Sequence, residues 1–195
     1  HSRTQGTLLI SEAIAQAERR PKVFVCASAI GYYGDRGDEP LTEEASAGDN
    51  FLADVCRQWE AACEPARTAG VRVVNLRIGV VLSKEGGALQ KMLTPFKLGA
   101  GGVLGDGKQY MSWITRDDLV GVIRFVVENP DVAGPVNAVT PNPVTNREFT
   151  KTLGKVLNRP TIIPMPAFAG RLVTGERHGY QFEHPDLEPA LRHVV

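Results

Sequence analysis

At 195 residues the chain can bury one substantial core, or one large core with a small appended lobe, and it is too short for a second full domain. Its 22 Lys and Arg balance 22 Asp and Glu, which excludes the basic excess of a nucleic-acid-binding domain, and 43% hydrophobic with 23% charged residues excludes a disordered or fibrous chain. No apolar stretch approaches the ~20 residues of a membrane-spanning helix, so neither a nucleic acid nor a membrane is expected as a partner.

The three cysteines Cys26, Cys56 and Cys63 are odd in number and show no CxxC or Cys/His ligand spacing. They argue against a disulfide framework and against a metal site, and they fit a reducing cytoplasm. The sequence opens His1-Ser2-Arg3 without a methionine, and the natural N-terminus is expected to lie further upstream.

Residues 7–20 set Leu8, Leu9, Ala13 and Ala17 at helical spacing, with Pro21 closing the helix. Val23 to Ala27 is a short apolar run bounded by small residues, the pattern of a buried parallel strand. After a polar, glycine-rich loop, Asp49 or Asn50 can cap a helix whose Phe51, Leu52, Val55, Cys56, Trp59, Ala62 and Cys63 form one apolar stripe. Gly70 ends it, and Val71 to Leu76 is the next strand. A helix near Ala88 to Leu98 leads into the glycine-rich segment Gly99 to Gly107, and Gln109 to Ile114 reads as extended.

Thr115-Arg116-Asp117-Asp118 reads as a capping box for a helix burying Leu119, Val122, Ile123, Val126 and Val127. A second box, Thr145-Asn146-Arg147-Glu148, opens a helix with Phe149, Leu153 and Val156. This alternation predicts an α/β sheet with crossover helices. Prolines become frequent from about Pro141, which marks 141–195 as a small C-terminal lobe. The junction Glu176-Arg177 lacks turn chemistry, and a disordered stretch at that point is the expected reason.

Gly31, Gly34 and Gly37 spell GxxGxxG, but Asp38-Glu39-Pro40 follows where a phosphate-binding loop must open into a helix. A turn-rich surface loop is the better reading. Gly99 to Gly107 is likewise read as a mobile substrate-side loop, with Lys97, Lys108, Gln109 and Trp113 as polar-ligand contacts; a solvated loop over a packed Trp113 is the alternative. Asp117 and Asp118 are assigned to helix capping. The histidines His1, His178, His184 and His193 sit at the chain's two ends without a neighbouring nucleophile, so a hydrolase triad is not expected.

The run Val25 to Asp35, which includes Ser28, Tyr32, Tyr33 and Gly34, resembles the strand of extended short-chain dehydrogenases/reductases that ends in a catalytic Ser and a Tyr-Gly pair. Glu43-Glu44, Trp59-Glu60, Leu76 to Leu82, Pro95 to Gly99, Gly105-Asp106-Gly107 and Trp113-Ile114 follow that family in order. The chain resembles one subgroup, the NAD-dependent epimerase-like proteins with a C-terminal DUF1731-type region. The resemblance implies a Rossmann-like doubly wound parallel sheet, here its C-terminal portion, with a small α/β lobe. Residues 1–140 would be the remaining part of the NAD(P)-binding domain, including a substrate-side segment 84–114, and 141–195 the DUF1731-like lobe. The first βαβ half, with the true pyrophosphate loop, is expected upstream.

The same resemblance implies Ser28 and Tyr32 as catalytic residues; counting back from Gly34 puts Ala29 in place of Ser28. It implies Arg3, Ser28, Arg77, Ile78, Gly79 and Val81 at the cofactor, and Tyr33, Gln109 and Trp113 at the substrate. The family's Tyr-x-x-x-Lys is matched by Leu52 and Cys56, i and i+4 on one helical face, neither of which replaces an activated tyrosine. The implied function is an NADP-dependent (or NAD-dependent) oxidoreductase or epimerase acting on a small carbonyl or sugar-like substrate. A catalytically impaired nucleotide-binding regulator is the alternative. A homodimer through helices 7–20 and 49–63 is a further implication.

Overall fold

The computed structural model describes residues 2–161 and 181–195. His1, His178 and the junction Glu176-Arg177 lie outside the described residues. In chain order the elements are α1 (Ser2–Gln16), β1 (Val23–Ala29), α2 (Phe51–Ala61), α3 (Glu64–Thr68), β2 (Arg72–Ile78), β3 (Val80–Leu82), α4 (Gly87–Lys97) and β4 (Tyr110–Met111). They are followed by β5 (Trp113–Thr115), α5 (Arg116–Glu128), β6 (Gly134–Ala138), β7 (Val144–Thr145), α6 (Asn146–Leu157) and α7 (Leu187–Val194).

The central sheet has the order β1-β2-β6 and is parallel throughout, with Ser28 opposite Arg77 and Arg77 opposite Asn137. Successive side chains on a strand face opposite ways, so Cys26 and Val73 pack with Ile14, Cys63 and Ala66 under α1, α2 and α3. Val74, Leu76 and Val136 face the other layer, where Val122 and Val126 of α5 cover them. Helices on both faces of a parallel sheet make the doubly wound α/β arrangement that the alternation predicts.

α1 begins earlier and ends four residues earlier than the helix read from its spacing, at Gln16 in place of Arg20. Its Leu8, Leu9 and Ile10 are exposed. Asn50 caps α2 by accepting the Ala53 N–H. On α5 the apolar stripe is too generous as read: Val122 and Val126 are buried, whereas Ile123 and Val127 are 39% and 48% exposed.

A second core joins distant parts of the chain. Leu82, Leu89, Leu93, Phe96, Met111 and Trp113 pack with Phe149 and Leu153 of α6 and with Leu187, Ala190 and Leu191 of α7. The α6 start is a reciprocal capping box, Thr145 with Glu148, as its sequence announces. The Thr115 box is different. Thr115 Oγ1 accepts the Asp118 N–H at 3.0 Å, but the Asp118 carboxylate is fully buried and also receives the backbone N–H of Glu183 at 2.6 Å and of His184 at 3.2 Å. Asp118 therefore fastens the C-terminal segment to α5.

Candidate ligand cavity

A cavity of about 450 Å³ opens at the carboxyl ends of β1 and β2. Its back is Ala29 at the end of β1 with Ile30 and Gly31 of the short 3-10 turn that follows. One side is a single face of α2, because Leu52, Val55, Cys56 and Trp59 are spaced i, i+3, i+4 and i+7. The opposite side comes from Ile78, Gly79 and Val80 at the end of β2, from Ala88 and Met92 of α4, and from Leu104, Gln109, Met111 and Asn146. Arg3 of α1 reaches the rim, its guanidinium 5.2 Å from the Trp59 ring.

Gly79 is required by close approach. A Cβ there would stand 2.6 Å from the Ser112 carbonyl oxygen and 2.7 Å from Val139 Cγ1. Its N–H donates to the Ala138 carbonyl, which ties the end of β2 to β6 just where β3 departs.

Behind the cavity lies a buried polar network. Arg77, 3% exposed, gives Nε and Nη2 to the two carboxylate oxygens of Glu60 at 2.9 and 3.0 Å, and Nη1 to the Tyr33 hydroxyl at 3.0 Å and the Glu43 carbonyl at 3.1 Å. Ser28 Oγ donates to Glu60 Oε1 at 2.6 Å, and Tyr33 Oη donates to Asn137 Oδ1 at 2.7 Å. The Arg77 guanidinium also lies 3.5 Å from the centre of the Tyr32 ring. Burial alone would pull the Arg77 pKa down, but the Glu60 carboxylate and the Tyr33 hydroxyl overcome it and hold it above its ordinary value. Burial raises the Tyr33 hydroxyl, against the opposing pull of Arg77.

The residues expected at the site divide accordingly. Arg3, Leu52, Cys56, Ile78, Gly79 and Gln109 stand on the cavity wall. Ser28, Tyr32, Tyr33 and Arg77 do not. They belong to the network, and the one-residue alternative Ala29 occupies the wall position in place of Ser28. Val81 packs into the α5-side core, its neighbour Val80 lining the cavity instead. Trp113 is fully buried in the second core, and Lys97 and Lys108 are exposed away from the cavity. The expected mobile loop is tied down: Leu104 N–H donates to Asn146 Oδ1 at 2.8 Å, Gln109 Nε2 to the Leu104 carbonyl at 3.0 Å, and Arg147 N–H to the Gly107 carbonyl at 3.0 Å.

Sequence spacing gave no hint of Glu60 as the hub of the network, of Met92, Leu104 and Met111 on the wall, or of one further cluster. Asp117, His184 and His193 bring ligand-type atoms within 4.8 Å of one another, with the two imidazoles stacked and His193 Nε2 2.9 Å from Asp117. The three come from α5, the segment before α7 and α7, so no local spacing could reveal them. They lie outside the cavity.

These residues suit one end of a nicotinamide dinucleotide. Gly31 brings no side chain to the back of the cavity, and the surrounding wall is apolar, as a planar ring requires. The turn after β1 offers no such place to a pyrophosphate, because it runs into an irregular segment and the next helix starts only at Phe51.

The pattern of the NAD dependent epimerase/dehydratase family matches residues 1–139. The chain belongs to that family. Among its members, Epimerase family protein Mb2239 of Mycobacterium bovis is 42% identical over all of this chain and 70% of its own length. A crystal structure of human epimerase family protein SDR39U1 with NADPH is 34% identical, with a TM-score of 0.90 over 99% of this chain and 72% of that one. A nucleoside-diphosphate sugar epimerase from Corynebacterium glutamicum is 40% identical, with a TM-score of 0.82 over 99% of this chain and 41% of that one. The family fold therefore accounts for the parallel sheet and for a cavity at its carboxyl end.

Proposed function

We propose that this protein is an NADP-dependent oxidoreductase of the epimerase family acting on a small carbonyl compound. The observation that carries the reading is the cavity at the carboxyl ends of β1 and β2, the place where ligands of open α/β sheets bind. The human relative's crystal structure with NADPH supports the choice of NADP, with NAD as the alternative.

Bound NADP supplies or accepts a hydride at its nicotinamide ring. Gly31, Ile78 and Gly79, which line the cavity, would border that ring and exclude water from it. Arg3 stands at the rim. Leu52 and Cys56 hold the places of the family's tyrosine and lysine without their acid–base chemistry. Burial pushes the Cys56 thiol up, so it keeps its proton at neutral pH, and water supplies the proton that a reduced carbonyl needs. The test is to incubate the intact protein with NADPH and a panel of aldehydes and ketones. Loss of reduced-nicotinamide absorbance is expected, and bound cofactor without turnover of any carbonyl refutes the reading.

One observation favours a second reading, a nucleotide-binding regulator. Among the described lining residues only Arg3 and Cys56 are titratable. Calorimetry decides it: a protein that takes up neither NADPH nor NADH is neither enzyme nor sensor of this kind.

In the same reading residues 1–140 with segment 84–114 form part of the nucleotide-binding domain, and 141–195 is the DUF1731-type region. Three free, buried cysteines suit a reducing cytoplasm, and no helix among the described residues is long and apolar enough to cross a membrane. The homodimer through α1 and α2 draws support from the exposed Leu8, Leu9 and Ile10. Light scattering on the purified protein checks it, with a twofold mass expected.

A further inference from the structure

We propose that the cavity takes an uncharged, largely apolar carbonyl compound, such as an alicyclic ketone, and rejects sugars carried on a nucleoside diphosphate. The inference rests on the oxidoreductase reading for its chemistry, but on the cavity wall for its specificity.

The wall is apolar on three sides, from Leu52 and Val55 of α2, Met92 of α4, Leu104 of the glycine-rich loop and Met111 of β4. Apart from Arg3 and the Gln109 Oε1, its polar side-chain groups are spent on the protein itself. Asn146 Oδ1 accepts the Leu104 N–H and its Nδ2 donates to Met111 Sδ, Gln109 Nε2 donates to the Leu104 carbonyl, and Trp59 Nε1 donates to Thr7 Oγ1 at 2.9 Å. A sugar entering this space would bury several hydroxyls without partners, and each unpaired hydroxyl opposes binding. A ketone brings a single acceptor.

Charge points the same way. A nucleoside diphosphate carries two negative charges that must meet cations or free amides. Among the described lining residues Arg3 is the one cation, and it stacks on Trp59. Of the helix starts beside the wall, that of α4 at Gly86 has no side-chain cap, whereas two are already occupied: Asn50 Oδ1 takes the Ala53 N–H and Thr145 Oγ1 takes the Glu148 N–H. The first turns of these two helices carry Asp54 and Glu148, whose carboxylates repel a phosphate.

Trp59 on the wall gives a readout that does not need turnover, and Trp59→Phe identifies its share of the emission beside that of buried Trp113. With the intact protein and NADP present, menthone is expected to shift the Trp59 emission saturably, and UDP-glucose at the same concentration is expected to leave it unchanged. Leu52→Asp, at a side chain 61% exposed and so tolerant of a charge in folding, should weaken menthone about tenfold, equivalent to about 1.4 kcal/mol. UDP-glucose binding as tightly as menthone, no binding of menthone, or menthone binding unaffected by Leu52→Asp each overturns the proposal. Saturable menthone binding without NADPH oxidation by any carbonyl leaves the specificity standing and sinks the oxidoreductase reading. Oxidation of a UDP-glucose hydroxyl with reduction of NADP does the reverse.

Discussion

Glu60 is the residue on which the cavity's rear wall depends. It accepts from both Arg77 and Ser28, and Arg77 in turn holds Tyr33. Removing one partner of a buried ion pair strands the other charge, so Glu60→Ala should cost about 3 kcal/mol in urea unfolding. Ser28→Ala loses one hydrogen bond of that network and should cost about 1 kcal/mol, with NADPH affinity unchanged. A collapse of NADPH affinity in Ser28→Ala would restore the serine to the cofactor.

The sequence made Ser28 visible as a special residue but not its direction. Adjacent strand positions face opposite ways, so an ambiguity of one residue exchanges contact with the Glu60 carboxylate for a place on the cavity wall. Ser28 takes the parity of Cys26 and meets Glu60, while Ala29 meets the cavity. Leu52 and Cys56 were legible because helical spacing fixes a shared face whatever the partner.

Burial raises both the Cys56 thiol and the Tyr33 hydroxyl. An acid with a raised pKa holds its proton more tightly folded than unfolded. Its contribution is whole below the unfolded values, ~8.5 for a thiol and ~10 for a tyrosine, and is lost as pH climbs toward the folded ones. The urea midpoint should therefore fall on the alkaline side of pH ~8.5, and Cys56→Ala should flatten the first part of that fall. A midpoint constant through this range contradicts the burial argument.

At the level of elements, the caps carry separable loads. Thr145→Ala breaks a surface capping box and should cost about 1 kcal/mol. Asp118→Ala should cost more, about 2 to 3 kcal/mol, because it orphans the amides of Glu183 and His184 and takes the acceptor from the Thr115 hydroxyl. Limited proteolysis should then cut residues 181–195 first. Both helix starts were readable from sequence, since Ser/Thr followed by an acid three residues on is a local signal. The reach of Asp118 to residues 183 and 184 was not, because it joins positions 65 and 66 residues apart. Nor could the α5 stripe announce that Ile123 and Val127 lack a cover, since periodicity marks a face without naming its partner. Gly79→Ala belongs to this level too. Its Cβ meets backbone at 2.6 Å, and a loss of about 2 kcal/mol is expected from thermal or urea unfolding.

For the whole molecule, alternation of helix and strand made the parallel sheet and its two helical layers legible. The second core was not. Its members run from Leu82 to Leu191, so α6 and α7 share one interior with α4 and β4, a packing that the frequent prolines after Pro141 do not announce. The cavity lies between these two cores, with the central sheet behind it and the second core beneath its far wall. The buried network from Ser28 to Asn137 thus stands behind the residues that line the cavity. Side chains at positions 52, 92 and 104 can change in size or polarity while the ion pair behind them stays intact. Such a frame can be re-lined for a new guest by a handful of substitutions, without rebuilding the scaffold.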